Sequence, residues 1–331
     1  MHQYLKNKEC PLLSEDVLAE LKNNGIKTVL AFLSRDSEAL IHACSLTYQE
    51  VVSVKKVLFA KYSALPCSAT DLLDQPSVAP LASGCDRVDG LLGGGLPAGD
   101  LVELCGPSAV GKTQLCLAWA AAALLAGARV LVADAKCEFS VARCRRLLRR
   151  RGRSAQECDR LLERLQYAQV FSMQELLALL EAVRSRRRLH AGLRLLVVDS
   201  LAALAAPLLA SPGFIGFGLL TDVGTTLKSV AAECRLTALV TNDLVQSEPG
   251  GGERPALGLA WLHVPHHRLL LSRETSTAPG PLAQPPRAGP RRTATLAKSI
   301  SAPCGTSADF LVTGAGVEEA PTAQKRSAPE D

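Results

Sequence analysis

The chain has 331 residues, of which 47% are apolar and 21% charged, so global disorder is excluded and a sizeable core can be buried. The net charge of +5 is too mild to define a partner by itself. The segment Met1–Lys8 has no apolar signal core, no apolar run is long enough to span a bilayer, and the eleven cysteines form no Cys-x-x-Cys pair. We therefore expect a soluble intracellular protein with reduced thiols and no membrane contact.

Residues 12–62 predict short helices that are separated by turns. Ser14 is a candidate cap for the first helix, and the run Asn23–Gly25 ends it. The pattern continues to the end of the segment and predicts a small all-helical N-terminal domain over residues 1–65. Residues 66–80 are rich in Pro, Ser, Ala and Asp, which is a composition typical of a linker.

Residues 81–316 show apolar strands that alternate with helical stretches, which predicts an α/β core with a mainly parallel central sheet. The Pro-rich stretch Thr277–Pro290 predicts a disordered hairpin insertion between two late strands. The polar residues 317–331 predict a loose C-terminal tail. The predicted strands are Leu101–Cys105, Arg129–Ala133, Leu165–Val170, Arg194–Val198, Leu236–Thr241, Arg268–Ser272, Thr293–Lys298 and Asp309–Val312.

One segment matches the phosphate-binding pattern G-x-x-x-x-G-K-[ST] without a mismatch, between a predicted strand and a predicted helix. Glycines in such a loop let backbone N–H groups turn toward phosphate at a helix N-terminus. Lys112 is the candidate catalytic cation for the β- and γ-phosphate oxygens, and Thr113 is a candidate Mg²⁺ ligand. The candidate nucleotide-binding residues of this loop are Gly106, Pro107, Ser108, Ala109, Val110, Gly111, Lys112 and Thr113.

Asp199 supplies the second acidic group that a P-loop site needs near its metal ion. It follows four apolar residues of a predicted buried strand, so its carboxylate is expected at the same sheet edge as the P-loop. This position predicts that Asp199 orients a metal-bound water, which makes it a catalytic and a metal-binding candidate. The cofactors that the two motifs predict are ATP and Mg²⁺.

Arginines are concentrated in two places. Nine lie between Arg143 and Arg164, and a second cluster covers Arg184–Arg188. Apolar residues such as Leu147 and Leu148 lie between them at helical spacing, which indicates solvated helix faces. A polyanion contact or a nuclear-import signal is the alternative, and the pattern alone leaves both interpretations open.

Residues 81–114 resemble the segment that leads into the P-loop of eukaryotic and archaeal RecA-type recombinases. The resemblance lies in Leu91-Leu-Gly-Gly-Gly-Leu96, then Gly99-Asp-Leu-Val-Glu103, and later in Val240-Thr241-Asn242. It covers about residues 10–315 and is stronger to the vertebrate D-type paralogues than to the strand-exchange enzyme. It implies a RecA-like ATPase core and a nuclear role in DNA repair by homologous recombination.

Three positions of this sequence bear on how far the family's chemistry applies. Active recombinases carry a glutamate that activates the attacking water, and Lys136 stands at that position here. A protonated lysine cannot accept a proton, and Glu138 replaces the glutamate only if the loop takes a different path. Asp243 stands where the family has a sensing glutamine, and Arg143 where it has an arginine near the adenine. The resemblance therefore implies a weak DNA-dependent ATPase.

Two Gly-rich stretches, Leu208–Thr225 and Val245–Leu257, match the positions of the family's flexible DNA loops. They are poor in Lys and Arg, and binding of single strands normally relies on basic grooves and stacking aromatic residues. We therefore expect the chain alone to bind single-stranded DNA weakly. Plain solvent loops are the alternative interpretation.

The resemblance also implies partners. A paralogue with altered surfaces is expected in a heteromeric complex of other recombinase paralogues that assists recombinase loading, and not in a homofilament. Phe59, Tyr62, Ala64 and Leu65 are candidates for docking on a neighbouring core, as in the family's linker exchange. The alternative is that these side chains close the helical domain.

Two other functions compete with this one. One alternative is an interaction scaffold that binds ATP without hydrolysing it. The other is an unrelated P-loop enzyme such as a kinase or a helicase core. A kinase needs an arginine-bearing lid, and a helicase needs an arginine finger from a neighbouring subunit. Neither explains a helical N-terminal domain in combination with the motif of residues 81–114.

Overall fold

The computed structural model describes residues 4–62, 66, 68–74, 77–185, 191–210, 215–246, 252–274 and 290–321. The chain divides into two compact units, Met1–Ser77 and Val78–Asp331. Among the described residues, every helix is too short or too polar to cross a bilayer. Each unit has a hydrophobic core of its own.

The first unit is helical. Ser14 and Thr28 cap its first two α-helices, because their side chains accept hydrogen bonds from the backbone N–H groups of Val17 and Ala31. Its core is built from fully buried side chains such as Phe32. Its elements are a 3₁₀ turn at Asn7–Glu9, α1 (Glu15–Asn23), α2 (Val29–Ser34), α3 (Ser37–Ala43), α4 (Tyr48–Tyr62) and α5 (Ala69–Leu73).

Two features of this unit bear on the sequence predictions. Helix α5 lies inside the segment expected to be a linker, because Ser68 and Asp71 form a reciprocal capping box. Tyr62 closes the helical bundle, since its ring packs on the core and its hydroxyl donates to Glu9 at 2.6 Å. Phe59 is exposed, and the docking candidates Ala64 and Leu65 lie outside the described residues.

The second unit is built on one mixed sheet with the strand order β10-β9-β8-β7-β1-β5-β4-β2-β3, and β6 pairs with β5. The strands from β7 to β3 in this order run parallel, whereas β8, β9 and β10 are added antiparallel. The strands are β1 (Leu101–Gly106), β2 (Arg129–Asp134), β3 (Leu165–Gln169), β4 (Leu193–Asp199), β5 (Thr237–Gln246), β6 (Glu253–Pro255), β7 (His267–Arg273), β8 (Arg292–Lys298), β9 (Ser307–Val312) and β10 (Val317–Glu319).

Helices cover both faces of the sheet, because alternate residues of the central strands enter two separate cores. In β4, Leu195 and Val197 pack in one core, and Leu196 and Val198 pack in the other. The fold class predicted from the sequence is thereby confirmed. The helices of this unit are α6 (Asp86–Gly90), α7 (Lys112–Leu125), α8 (Val141–Arg150), α9 (Ala155–Leu162), α10 (Met173–Ser185), α11 (Leu201–Leu209), α12 (Ile215–Cys234) and α13 (Gly258–Leu262).

The tail differs from the expectation at its beginning. Residues Val317–Glu319 were expected to be loose, but they form β10, which pairs antiparallel with β9. The side chain of Val317 is buried in the core, and this burial fixes the strand. Residues 322–331 and most of the expected hairpin insertion Thr277–Pro290 lie outside the described residues.

The two stretches expected to be flexible DNA loops are more regular than predicted. The first is helical from Ile215 onward, because Leu220, Val223 and Leu227 bury one face of α12. In the second, β6 pairs antiparallel with the end of β5, so the stretch is the base of a β-hairpin. Residues 211–214 and 247–251 lie outside the described residues.

Candidate nucleotide site at the carboxyl edge of the sheet

The P-loop joins the buried strand β1 to helix α7. A Cβ atom at Gly106 would lie 2.7 Å from the carbonyl oxygen of Leu271, so a larger residue does not fit there. Gly111 caps the helix with φ of 113°, in the left-handed region that favours glycine. The two glycines of the motif thus hold the turn that places Lys112 and Thr113 in the first turn of α7.

Lys112 folds back across the loop. Its ammonium donates to the carbonyl oxygens of Gly106 at 2.7 Å and Pro107 at 2.9 Å. It also forms an ion pair with Asp243, with 2.7 Å between Nζ and Oδ1, and its side chain is only 8% exposed. The motif lysine is therefore fixed in place over the P-loop by three oxygen partners.

Thr113 and Asp199 meet although they come from different elements. The Thr113 hydroxyl, at the start of α7, donates to Asp199 Oδ2 at 2.7 Å. The other carboxylate oxygen, Oδ1, accepts from the Thr241 hydroxyl of β5 at 2.6 Å. Mg²⁺ is a hard cation and prefers oxygen ligands such as hydroxyls and carboxylates. Beside a phosphate loop it takes few ligands from the protein and keeps several waters. The residues therefore fit a magnesium ion bound with nucleotide.

Asp243 bridges two lysines. Its Oδ1 contacts Lys112, and its Oδ2 accepts from Lys136 Nζ at 2.9 Å. Burial acts to raise the pKa of Asp243, but the hydrogen bonds from both lysines outweigh it, and the pKa is lowered. Burial likewise acts to lower the pKa of Lys136, but the contact with Asp243 outweighs it, and this pKa is raised. Lys136 is therefore a cation at neutral pH and cannot act as a general base.

These residues surround one cavity of about 210 Å³. It brings together most of the side chains expected at the site, including Glu138, and adds Arg292, which the sequence analysis did not single out. No local motif could have found Arg292, because only the pairing of β8 with its neighbours brings it near the P-loop. The lining residues are Ser108, Ala109, Gly111, Lys112, Thr113, Gln114, Lys136, Glu138, Asp199, Asp243 and Arg292.

Arg143 does not line this cavity. Its guanidinium donates to the carbonyl oxygens of Thr313 at 2.5 Å and Gly314 at 2.7 Å, and to the Gln114 side chain at 3.3 Å. Burial and the neighbouring Arg146 lower its pKa. These bonds join α8 to the loop after β9 and occupy the edge of the guanidinium. Contact with an adenine ring would have to use its faces, so this role stays a prediction.

A buried polar cluster stiffens the strands beside the site. Glu103 of β1 is fully buried and accepts from Asn242 of β5 at 2.7 Å and from Arg268 of β7 at 2.5 Å. A buried carboxylate is stable only when it is paired and hydrogen-bonded, as this one is. The cluster fixes three neighbouring strands, and Asn242 directly precedes Asp243.

The chain matches two models of known protein families, one of which includes the P-loop and Asp199. A family model described as "RAD51D, N-terminal domain" matches residues 2–61, and one described as "Rad51" matches residues 75–272. "DNA repair protein RAD51 homolog 4" of Bos taurus is 34% identical over 276 residues, which cover 81% of this chain and 85% of that protein. The Mus musculus protein of the same name is 31% identical over 318 residues, 94% of each chain.

A solved structure shows the same fold. The crystal structure of the RadB recombinase superposes with a TM-score of 0.59 at 25% sequence identity. The match covers 73% of this chain and all of the RadB chain. The strands that carry the P-loop and Asp199 lie within the range that the Rad51 model matches.

Proposed function

The chain belongs to the Rad51 recombinase family, as a RAD51D-like paralogue in DNA repair and recombination, and from this membership we propose that it binds ATP with Mg²⁺ through the P-loop site. The observation that carries the proposal is the constellation of Lys112, Thr113 and Asp199 around one cavity. The Rad51 family binds ATP with a divalent metal. Family membership also argues against the alternative of an unrelated kinase or helicase core.

Different residues of the site would bind the phosphates and the metal ion. Backbone N–H groups of the loop and the Lys112 ammonium would hold phosphate oxygens, since both are donors at a helix N-terminus. Thr113 and Asp199 would hold Mg²⁺, which supplies positive charge to the phosphates when it is bound. Thr241 keeps the Asp199 carboxylate oriented through its 2.6 Å hydrogen bond.

We propose that hydrolysis by the isolated chain is weak. Family members are DNA-dependent ATPases, but the position of the water-activating glutamate holds Lys136, which the contact with Asp243 keeps protonated. Glu138 lines the same cavity and is the carboxylate available as a substitute base. ATP binding without turnover is the second candidate function, and the ion pair between Lys136 and Asp243 favours it.

We also propose that the chain works in the nucleus within a heteromeric complex of recombinase paralogues that assists recombinase loading on single-stranded DNA. Its relatives are named DNA repair proteins, which supports this setting. Weak DNA binding by the chain alone is proposed because the described parts of the two loop stretches carry few basic side chains.

The test of nucleotide binding is Lys112→Ala. The change removes a charge-assisted contact worth about 1.5–3 kcal/mol, so ATP affinity should fall by roughly tenfold or more. Titration of a fluorescent ATP analogue with Mg²⁺ measures it, and circular dichroism checks that the fold persists. The matched control is Lys56→Ala, which removes an exposed lysine of α4 and should leave the affinity unchanged. Equal affinity of Lys112→Ala and the unmodified chain would overturn the proposal.

A further inference from the structure

Arg292 begins strand β8 and lies against the P-loop. A Cβ atom added at Gly111 would meet its Cδ at 3.4 Å and its Nε at 3.5 Å, so the stem of the arginine packs directly on the loop. The pairing of β8 with β7 and β9 fixes the backbone at this position, with Arg292 opposite Arg273 and Phe310. The position of the side chain is therefore set by the sheet.

The guanidinium has few partners of its own. Nη1 donates to the carbonyl oxygen of Pro290 at 3.0 Å, and Nε is buried without a hydrogen-bond partner among the described residues. Burial and then the charge of Arg273 lower the pKa of Arg292. Arginine nevertheless stays charged in proteins. The guanidinium is thus a partly desolvated cation beside another cation. Hydrogen bonds to an anionic ligand would stabilise it strongly.

The cavity beside Arg292 is the one that holds Lys112, Thr113 and Asp199. We propose that Arg292 is a further nucleotide-binding residue, whose guanidinium contacts phosphate oxygens that ATP and ADP share. This inference rests on the proposed nucleotide binding of the P-loop. The loop amides of this motif hold the α- and β-phosphates, and Gly111 belongs to that part of the loop.

The other end of the cavity supports this placement. The motif lysine serves the β- and γ-phosphates, and here Lys112 points toward Asp243 and Lys136. Those two side chains therefore mark the γ-phosphate end. Arg292 packs on Gly111 instead, together with Val312 of β9. Its contact should thus be independent of the γ-phosphate.

The test compares Arg292→Gln with Arg291→Gln in the full-length chain. Gln keeps the side chain as far as Cδ beside Gly111 and removes the charged guanidinium group. Arg291 is the matched control, because its guanidinium is already engaged by the Pro321 carbonyl and by Asp309 at 3.4 Å. ATP and ADP affinities are measured by titration at several salt concentrations, since loss of a phosphate-binding cation reduces the salt dependence of affinity.

Arg292→Gln should weaken both nucleotides by roughly tenfold and flatten the salt dependence, and Arg291→Gln should change neither. Unchanged affinity, or weaker affinity with an unchanged salt dependence, would overturn the assignment. Loss that is restricted to ATP would refute the contact with the shared phosphates. Lys112→Ala is measured in parallel: if it too leaves affinity unchanged, the proposed function itself fails, whereas loss in Lys112→Ala alone rejects only Arg292.

Discussion

The ion pair between Lys136 and Asp243 joins two positions at which this sequence departs from the recombinase pattern. In the family pattern the two positions hold a glutamate and a glutamine. Here they hold a cation and an anion that bond to each other at 2.9 Å, so the two departures compensate in charge. Exchange of Asp243 removes the carboxylate partner of both lysines, whereas exchange of Lys136 leaves Asp243 paired with Lys112 alone, so the two positions must be considered together.

Lys136→Glu alone should not restore ATP hydrolysis. The introduced carboxylate would face Asp243 in place of the Lys136 ammonium, so two carboxylates would stand at the γ-phosphate end of the cavity. The double change Lys136→Glu with Asp243→Gln removes that repulsion. It should raise turnover by at least about tenfold, because a positioned general base contributes roughly 10²–10⁴ in rate. Phosphate release with and without single-stranded DNA measures the difference.

Asp243→Gln is the control for this pair. It frees Lys112 from a competing carboxylate and should tighten ATP binding without raising turnover. If Lys136→Glu alone already matched the double variant, the compensation between the two positions would be refuted.

The site residues that belong to a local sequence motif were predicted, whereas those that depend on contacts between distant elements were not. Lys112 and Thr113 lie within one contiguous motif, and Asp199 follows an apolar strand that any parallel sheet would place nearby. Arg292 reaches the site only through the pairing of β8 with β7 and β9, and its neighbours in sequence carry no motif. The departure at Asp243 was visible, but its bridge to two lysines is a property of three separate elements.

At the scale of elements, α12 shows why a glycine-rich stretch was mistaken for a loop. Its glycines lower helix propensity, but buried apolar residues at helical spacing outweigh that cost. Gly224 also has a packing reason to be there. A Cβ atom at this position would lie 2.7 Å from Val264 Cγ1 and 3.1 Å from Trp261, so the missing side chain lets the helix approach its neighbour.

Gly224→Ala should therefore destabilise the core. Overpacking of this kind costs about 1–3 kcal/mol in the free energy of unfolding. Gly218→Ala is the matched control in the same helix, since a Cβ atom there meets nothing within 4 Å. It should stabilise by about 0.5–1 kcal/mol, the difference between glycine and alanine in a helix. Denaturant unfolding of the full chain measures both, and effects of equal sign would contradict the packing argument.

The eight longer strands were predicted with their ends within two residues, except that β5 continues beyond Thr241 to Gln246; β1, β2 and β4 are mostly apolar runs between turns. Strands β6 and β10 were missed. Each has three residues, and in Glu253–Pro255 and Val317–Glu319 polar residues predominate, so neither shows an apolar run. Pairing with an existing strand forms them, and a single sequence does not display that contact.

At the scale of the molecule, the chain consists of two units with separate cores. The side chains that line the cavity all belong to Val78–Asp331. The helical unit is closed by its own contacts, such as the Tyr62 hydrogen bond to Glu9. Nucleotide binding and the proposed contact with a neighbouring paralogue through the N-terminal segment should therefore be separable.

A chain that begins at Val78 should keep its ATP affinity within about twofold, since no lining residue and no strand of the sheet is removed. It should lose one of its contacts with other recombinase paralogues and keep another that the core makes. Such one-sided loss is expected for head-to-tail assembly, in which each end of a subunit binds a different surface. Co-purification of co-expressed paralogues, with nucleotide titration in parallel, measures both. A truncated chain that keeps every partner would contradict docking through the N-terminal segment, and a full-length homofilament on DNA would contradict the heteromeric complex.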